Sequence, residues 1–201
     1  MLSDVEVVGR CRRGDPAAWA ELYRRHAPTT ARFLYRLVGH GGDIDDLVQQ
    51  VFVELVASLD RFRADARFTT WLYGITAHVA CDRLRGDALW HRRNRDYGEW
   101  CVLARDDSPD PADGALARAI LEAASNVLGA MDVKLRVVWV MNELEGLDSD
   151  QIGKALGIPA TTVRVRLFRA RRELRDELVA AGFDRATLGP VIRIGVQARG
   201  A

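Results

Sequence analysis

Residues 147–172 read LDSDQIGKALGIPATTVRVRLFRARR, two short helical patterns joined by a Gly-Ile-Pro turn. Asp148 stands where an N-cap belongs, and Gln151 three residues on completes a capping box. Ile152, Ala155 and Leu156 give the first helix its inner face. Gly157 supplies a left-handed stop, and Pro159 ends the first helix while permitting the next, which begins near Ala160. On that second helix Val163, Leu167, Ala170, Leu174 and Leu178 recur on one face, which predicts their burial. At about 100° per residue, Thr161, Val165, Arg169 and Arg172 then face outward, with Arg164 and Phe168 on the flank. The pattern is a helix-turn-helix whose outward face suits a DNA major groove. Arginine grips phosphate or makes a bidentate contact to guanine, while Val165 and the Thr161 methyl suit a thymine methyl.

Lysine occurs only at positions 134 and 154, so arginine enrichment alone would mean no more than a solvated face. The cap, the turn and the apolar register together carry the DNA reading.

At 201 residues and 48% hydrophobic, the chain can bury one or two small cores. Its net charge of +1 conceals segregation. Arg83, Arg85, Arg92, Arg93 and Arg95 crowd one region and Arg164 to Arg175 another, with Asp106, Asp107, Asp110 and Asp113 between them. Phosphate responds to such local fields rather than to the total. Cys11, Cys81 and Cys101 are odd in number and widely spaced, which indicates neither a disulfide framework nor a zinc site and fits a reducing cytoplasm. The N-terminus has no signal-peptide pattern and no apolar run reaches membrane-spanning length, so membrane insertion is not expected. No Ser-His-Asp set, phosphate loop or dinucleotide fingerprint occurs, and no enzyme, metal or cofactor is expected.

Strand signals are weak, so the fold is expected to be all-α, with two helical blocks around a stretch from about Gly86 to Gly114. The second half of that stretch, RDDSPDPADG, combines acidic charge with proline and is expected to stay extended and solvated. Its first half places Trp90, Tyr97 and Trp100 among arginines and suits docking on a partner. In the first block, Asp15-Pro16 caps and opens a helix carrying Trp19, Leu22 and Tyr23, and a second helix carries Phe33, Leu34, Leu37 and Val38. Ile44, Leu47, Val48, Val51, Phe52, Leu55, Val56 and Leu59 then keep a three-four spacing after Asp43 and predict a core helix. Its outer face shows Asp46, Gln49, Gln50, Val53 and Ala57, sparsely charged as a protein-contact surface would be. A fourth helix from Thr69 turns Trp71, Leu72, Ile75 and Val79 inward and Tyr73, Ala77 and Leu84 outward, then runs into arginines. Aromatic and basic residues interleaved on a surface suit single-stranded nucleic acid, because bases stack on rings while arginines follow the backbone.

Three segments stand in a fixed order: DIDDLVQQVFVELVASLDRF, FTTWLYGITAHVACDRLR and LRVVWVMNELEGLDSDQIGKALGIPATTVRVRLFRARREL. In sequence and spacing they resemble the extracytoplasmic-function (ECF) group of bacterial RNA polymerase sigma factors. The resemblance implies a region 2-like domain over residues 1–85, a linker over 86–115, a region 4-like domain over 116–180 and an unassigned tail over 181–201. It implies that Asp46, Gln49, Gln50 and Val53 meet the clamp helices of core RNA polymerase. Tyr73, His78, Cys81, Asp82, Arg83 and Arg85 would capture melted −10 promoter DNA, where a protein pocket offsets the cost of extruding a base. Thr161, Arg164, Val165, Phe168, Arg169 and Arg172 would read the −35 duplex, with the polymerase flap as a further partner of that domain. It further implies a cytoplasmic protein, nucleoid-associated when bound to polymerase, and regulation by an anti-sigma factor.

The departures from the group's pattern bear on specificity. His78 stands where asparagine is common, Gly74 where arginine is, Thr161 where glycine is and Val165 where serine is. An alternative from another class is a dimeric repressor or activator that binds duplex DNA through the same helix-turn-helix; it requires neither the contact helix nor the aromatic-basic helix. The run VIRIGV in the tail fits either disorder or a strand on a partner.

Overall fold

The computed structural model describes residues 2–39, 44–86 and 111–184, and every regular element among them is helical. Asp43, the aromatic-basic half of the interdomain stretch and the VIRIGV tail lie outside the described residues. The first half of the chain holds α1 (Asp4–Arg12), α2 (Pro16–Val38), α3 (Ile44–Ser58) with a 3-10 turn at Leu59–Arg61, and α4 (Phe68–Gly86). The second holds α5 (Pro111–Ala130), α6 (Val133–Trp139) running into a π turn at Val140–Leu144, α7 (Ser149–Leu156) and α8 (Ala160–Ala180).

Helix α1 has no counterpart in the sequence reading, and its capping box is made by Ser3 and Glu6. It packs on α2 through Val7, Val8 and Cys11. Arg12 then ties it to the turn after α3 by donating to the carbonyls of Leu59 at 2.8 Å and Phe62 at 2.6 Å. Asp15 caps α2 as expected, accepting from the amides of Ala17 at 3.0 Å and Ala18 at 3.4 Å. The two helices expected over this stretch are one helix of 23 residues that contains Pro28. Pro28 costs a single backbone hydrogen bond and lies on the exposed side. The buried series Leu22, Phe33, Leu34 and Leu37 continues through it, and that burial outweighs the lost bond.

Helix α3 buries Leu47, Val48, Val51, Phe52 and Leu55 as its periodicity predicts. Val56, expected inward, is 56% exposed and joins Val53 on the outer face. Helix α4 departs further from expectation. Tyr73 and Ala77, expected outward, are buried, because α2 and α3 cover one side of α4 while α7 covers another. A helix enclosed on several sides has no simple amphipathic stripe to read. Helix α5 begins at Pro111, inside the stretch expected to be extended, with proline at the first helical position, where its missing amide hydrogen costs nothing.

One core runs through both halves, from Leu22, Phe33 and Leu55 through Leu72 and Ala77 to Val137, Val138, Met141 and Ile152. A smaller cluster belongs to the second half alone, where Ile120, Ala124, Leu128 and Met131 meet Ala170, Leu174 and Leu178. No helix among the described residues is long and apolar enough to cross a membrane.

Candidate nucleic-acid and polymerase interfaces

The helix-turn-helix forms as its sequence dictates. The Asp148 side chain accepts from the amides of Asp150 and Gln151, both at 2.9 Å, and Gln151 returns a contact to the Asp148 amide at 2.9 Å. Gly157 adopts φ 65°, ψ 31°, the left-handed stop that a side chain would strain. Gly153 allows the turn to close, since a Cβ there would lie 2.8 Å from the Ile158 carbonyl oxygen. Val163, Leu167, Ala170, Leu174 and Leu178 are all buried along α8. Thr161, Arg164, Val165, Phe168, Arg169 and Arg172 are all exposed. Phe168 at 65% and Val165 at 50% exposure are large apolar groups left in water beside arginines, as a groove-reading face requires.

The orientation of α8 is fixed from outside the motif. Arg171 donates from Nε to Glu143 Oε1 at 2.7 Å and from Nη2 to Asn142 Oδ1 at 2.8 Å. Asn142 also donates to the Leu147 carbonyl at 2.7 Å. These partners sit on the π turn, which adds a residue to the helical repeat and re-aims the side chains that follow it. No local signal in the sequence announces that turn.

On α3, Asp46, Gln49, Gln50 and Val53 are exposed together, and Val56 extends this face. The apolar pair Val53 and Val56 is 62% and 56% exposed. On α4, the candidates divide. His78, Asp82, Arg83 and Arg85 are exposed, with His78 Nε2 3.4 Å from Asp82 Oδ2 and Arg85 Nη1 3.1 Å from Asp82 Oδ1. Cys81 is half-buried, and burial raises its pKa, which keeps it a thiol rather than a nucleophilic thiolate. Tyr73 does not join them: its ring packs at a tilt against Phe33, centroids 4.6 Å apart, and its hydroxyl donates to Glu145 Oε2 at 2.5 Å. Burial and the neighbouring carboxylate hold that phenol well above its ordinary pKa.

His78, Cys81 and Arg85 line a cleft of about 700 Å³ between the halves, whose opposite wall includes Lys154, Gly157 and Arg166. Nothing local in the sequence marks Arg166 and Lys154 as cleft residues, because their position depends on how the halves dock.

Residues 22–89 match the family model of sigma-70 region 2, and residues 121–174 match that of sigma-70 region 4. The chain is 36% identical over 82% of its length to the ECF RNA polymerase sigma factor SigE of Mycolicibacterium smegmatis, and spans 64% of that relative. It is 32% identical over 84% of its length to the RNA polymerase sigma factor CarQ of Myxococcus xanthus, covering 94% of that protein. The chain belongs to the extracytoplasmic-function family of RNA polymerase sigma factors. The sigma factor shares its fold with CnrH, solved in complex with the cytosolic domain of CnrY, at a TM-score of 0.61 and 25% identity, covering 90% of this chain and 99% of that one. The dimeric repressor alternative is thereby set aside. The region 2 match covers α3 and α4, and the region 4 match covers the helix-turn-helix, so the candidate surfaces lie inside the matched segments.

Proposed function

We propose that this sigma factor directs core RNA polymerase to promoters by dividing the work between its halves. Residues 1–85 bind the polymerase clamp helices through Asp46, Gln49, Gln50 and Val53. The same half captures the melted −10 strand with His78, Cys81, Asp82, Arg83 and Arg85. Residues 116–180 read the −35 duplex through Thr161, Arg164, Val165, Phe168, Arg169 and Arg172, and contact the polymerase flap. The observation that carries this reading is the clean division of α8, with five apolar positions buried and six DNA candidates exposed on one helix. Such a helix can seat its buried face on the domain and enter a major groove with the other.

The protein acts in the cytoplasm, at the nucleoid when bound to polymerase. CnrH is seen with the cytosolic domain of CnrY. A comparable regulator of anti-sigma type would hold this chain from polymerase by covering the same surfaces.

In vitro transcription from a library of promoter-length duplexes tests the reading, with core polymerase alone, with the protein, and with the Gln49→Ala/Gln50→Ala variant. Initiation should depend on the protein and weaken in the variant. If the protein gives no initiation, or the variant is as active as the parent, the assigned polymerase face is wrong.

A further inference from the structure

Lys134 and Lys154, the only lysines in a chain with 29 lysines and arginines, stand on different helices, α6 and α7, yet line the same cleft. Arg61 from the 3-10 turn, Arg85 from α4 and Arg166 from α8 line it too, so cations from five separate elements converge on one space of about 700 Å³. Among the described residues Glu54 is the only carboxylate in that lining. Arg85 is paired with Asp82 at 3.1 Å. Arg61, Lys134, Lys154 and Arg166 have no acidic partner among the described residues. In a chain of net charge +1, unpaired positive charge is thus gathered at one concave place, where low-dielectric walls focus its field.

Concentrated positive charge selects a compact polyanion. A nucleic-acid strand carries one charge per nucleotide. A polyphosphate bonds its phosphates directly to one another, and its terminal phosphate carries more than one charge. Lysine meets such groups as a point charge and arginine as a two-pronged donor, and both kinds are present. The remaining wall is apolar and includes Ile75, Ile158 and Trp71. Trp71 is half-buried and packed against Phe62 and Phe68, with ring centroids 5.3 and 5.8 Å away. A ring held by its neighbours is a platform on which a base can stack. The volume lies within the roughly 300–1,000 Å³ of small-molecule sites.

We propose that the cleft binds a nucleoside polyphosphate, with its phosphates among Arg61, Lys134, Lys154 and Arg166 and its base against Trp71. Since His78 and Arg85 line the same space, a bound nucleotide competes with the melted −10 strand. That consequence rests on the promoter assignment of α4; nucleotide binding itself does not.

Because the chain has two lysines, amine acetylation read by mass spectrometry reports on this site, with the terminal amine as internal reference. The full-length protein is labelled in the presence of ATP, inorganic tripolyphosphate or a single-stranded −10 oligonucleotide. ATP should slow labelling of Lys134 and Lys154 together and leave the terminal amine unchanged. In calorimetric titrations, Lys154→Gln and Arg166→Gln should each weaken ATP about tenfold, the loss of one charge-assisted contact. Arg13→Gln, which removes an exposed cation outside the cleft, should change it by less than about twofold. Tripolyphosphate should bind about fivefold more weakly than ATP, because it has no base to stack.

Absence of protection at millimolar ATP would overturn the proposal. So would protection of one lysine without the other, or an ATP affinity that both cleft variants leave intact. Tripolyphosphate binding as tightly as ATP would refute the nucleoside. Protection by the oligonucleotide with none by ATP would make the cleft a path for the strand instead. Failure of the promoter assignment appears separately, as ATP that protects both lysines yet leaves oligonucleotide binding undisturbed.

Discussion

Val165 and Phe168 are large apolar side chains left exposed on the outer face of α8. A valine half-exposed on the outer face of α8 can offer methyl contact to thymine but no hydrogen bond, so Val165→Ser should change which base is preferred at one position of the −35 element. The preference should shift by about 1 kcal/mol, roughly fivefold, with polymerase binding unchanged. A promoter-variant panel read by initiation frequency measures this, and an unaltered preference would remove Val165 from the reading set. Both residues were legible from the sequence because the opposite face of α8 is a clean apolar series. Val56 was not legible, since a valine in a three-four pattern looks the same whether it lies at the centre of the stripe or at its edge. Tyr73 was misplaced for a different reason. Its own helix does not bury it; Phe33 on α2 and Glu145 do, and Glu145 lies 72 residues further along the chain.

At the scale of elements, legibility follows the locality of the cause. The cap, stop and restart of the helix-turn-helix are all set by residues within a turn of each boundary, and all three formed where expected. Removing the cap tests its share directly. Asp148→Ala deprives the amides of Asp150 and Gln151 of their acceptor and should cost about 1 kcal/mol in a urea unfolding midpoint, while Asp148→Asn should cost less. Equal losses for the two variants would mean that charge at the helix start, rather than the cap bond, matters. Helices α2 and α4 were harder to read because the deciding term is tertiary. The buried face of α2 carries it through Pro28, and α4 is enclosed by neighbours from both halves of the chain. The π turn after α6 is in the same class. It places Glu143 toward α8 and Glu145 toward α2 and α4, and only the packed structure shows why each carboxylate points where it does.

For the whole molecule, segment order exposed the family but not the docking, because docking depends on contacts such as Arg36 to Glu145, 109 residues apart. Docking has a thermodynamic signature. A core shared by both halves makes each half lose buried surface when the other unfolds, so the wild type should unfold in one calorimetric transition whose van't Hoff and calorimetric enthalpies agree. Each half nevertheless keeps hydrophobic contacts of its own. Leu22, Phe33, Leu34 and Leu55 remain together in the first half, and Ile120, Leu128, Leu174 and Leu178 in the second. Separating the halves should therefore split the transition rather than abolish it. Gly74→Ala, which sets a methyl against the Ala155 backbone, should convert the single transition into two, with the total enthalpy reduced by what the interface supplied. Glu145→Gln should move in the same direction by a smaller amount, because the apolar part of the contact survives it. Two transitions already present in the wild type, or a single one retained by Gly74→Ala at full enthalpy, would show that the shared core does not couple the halves energetically.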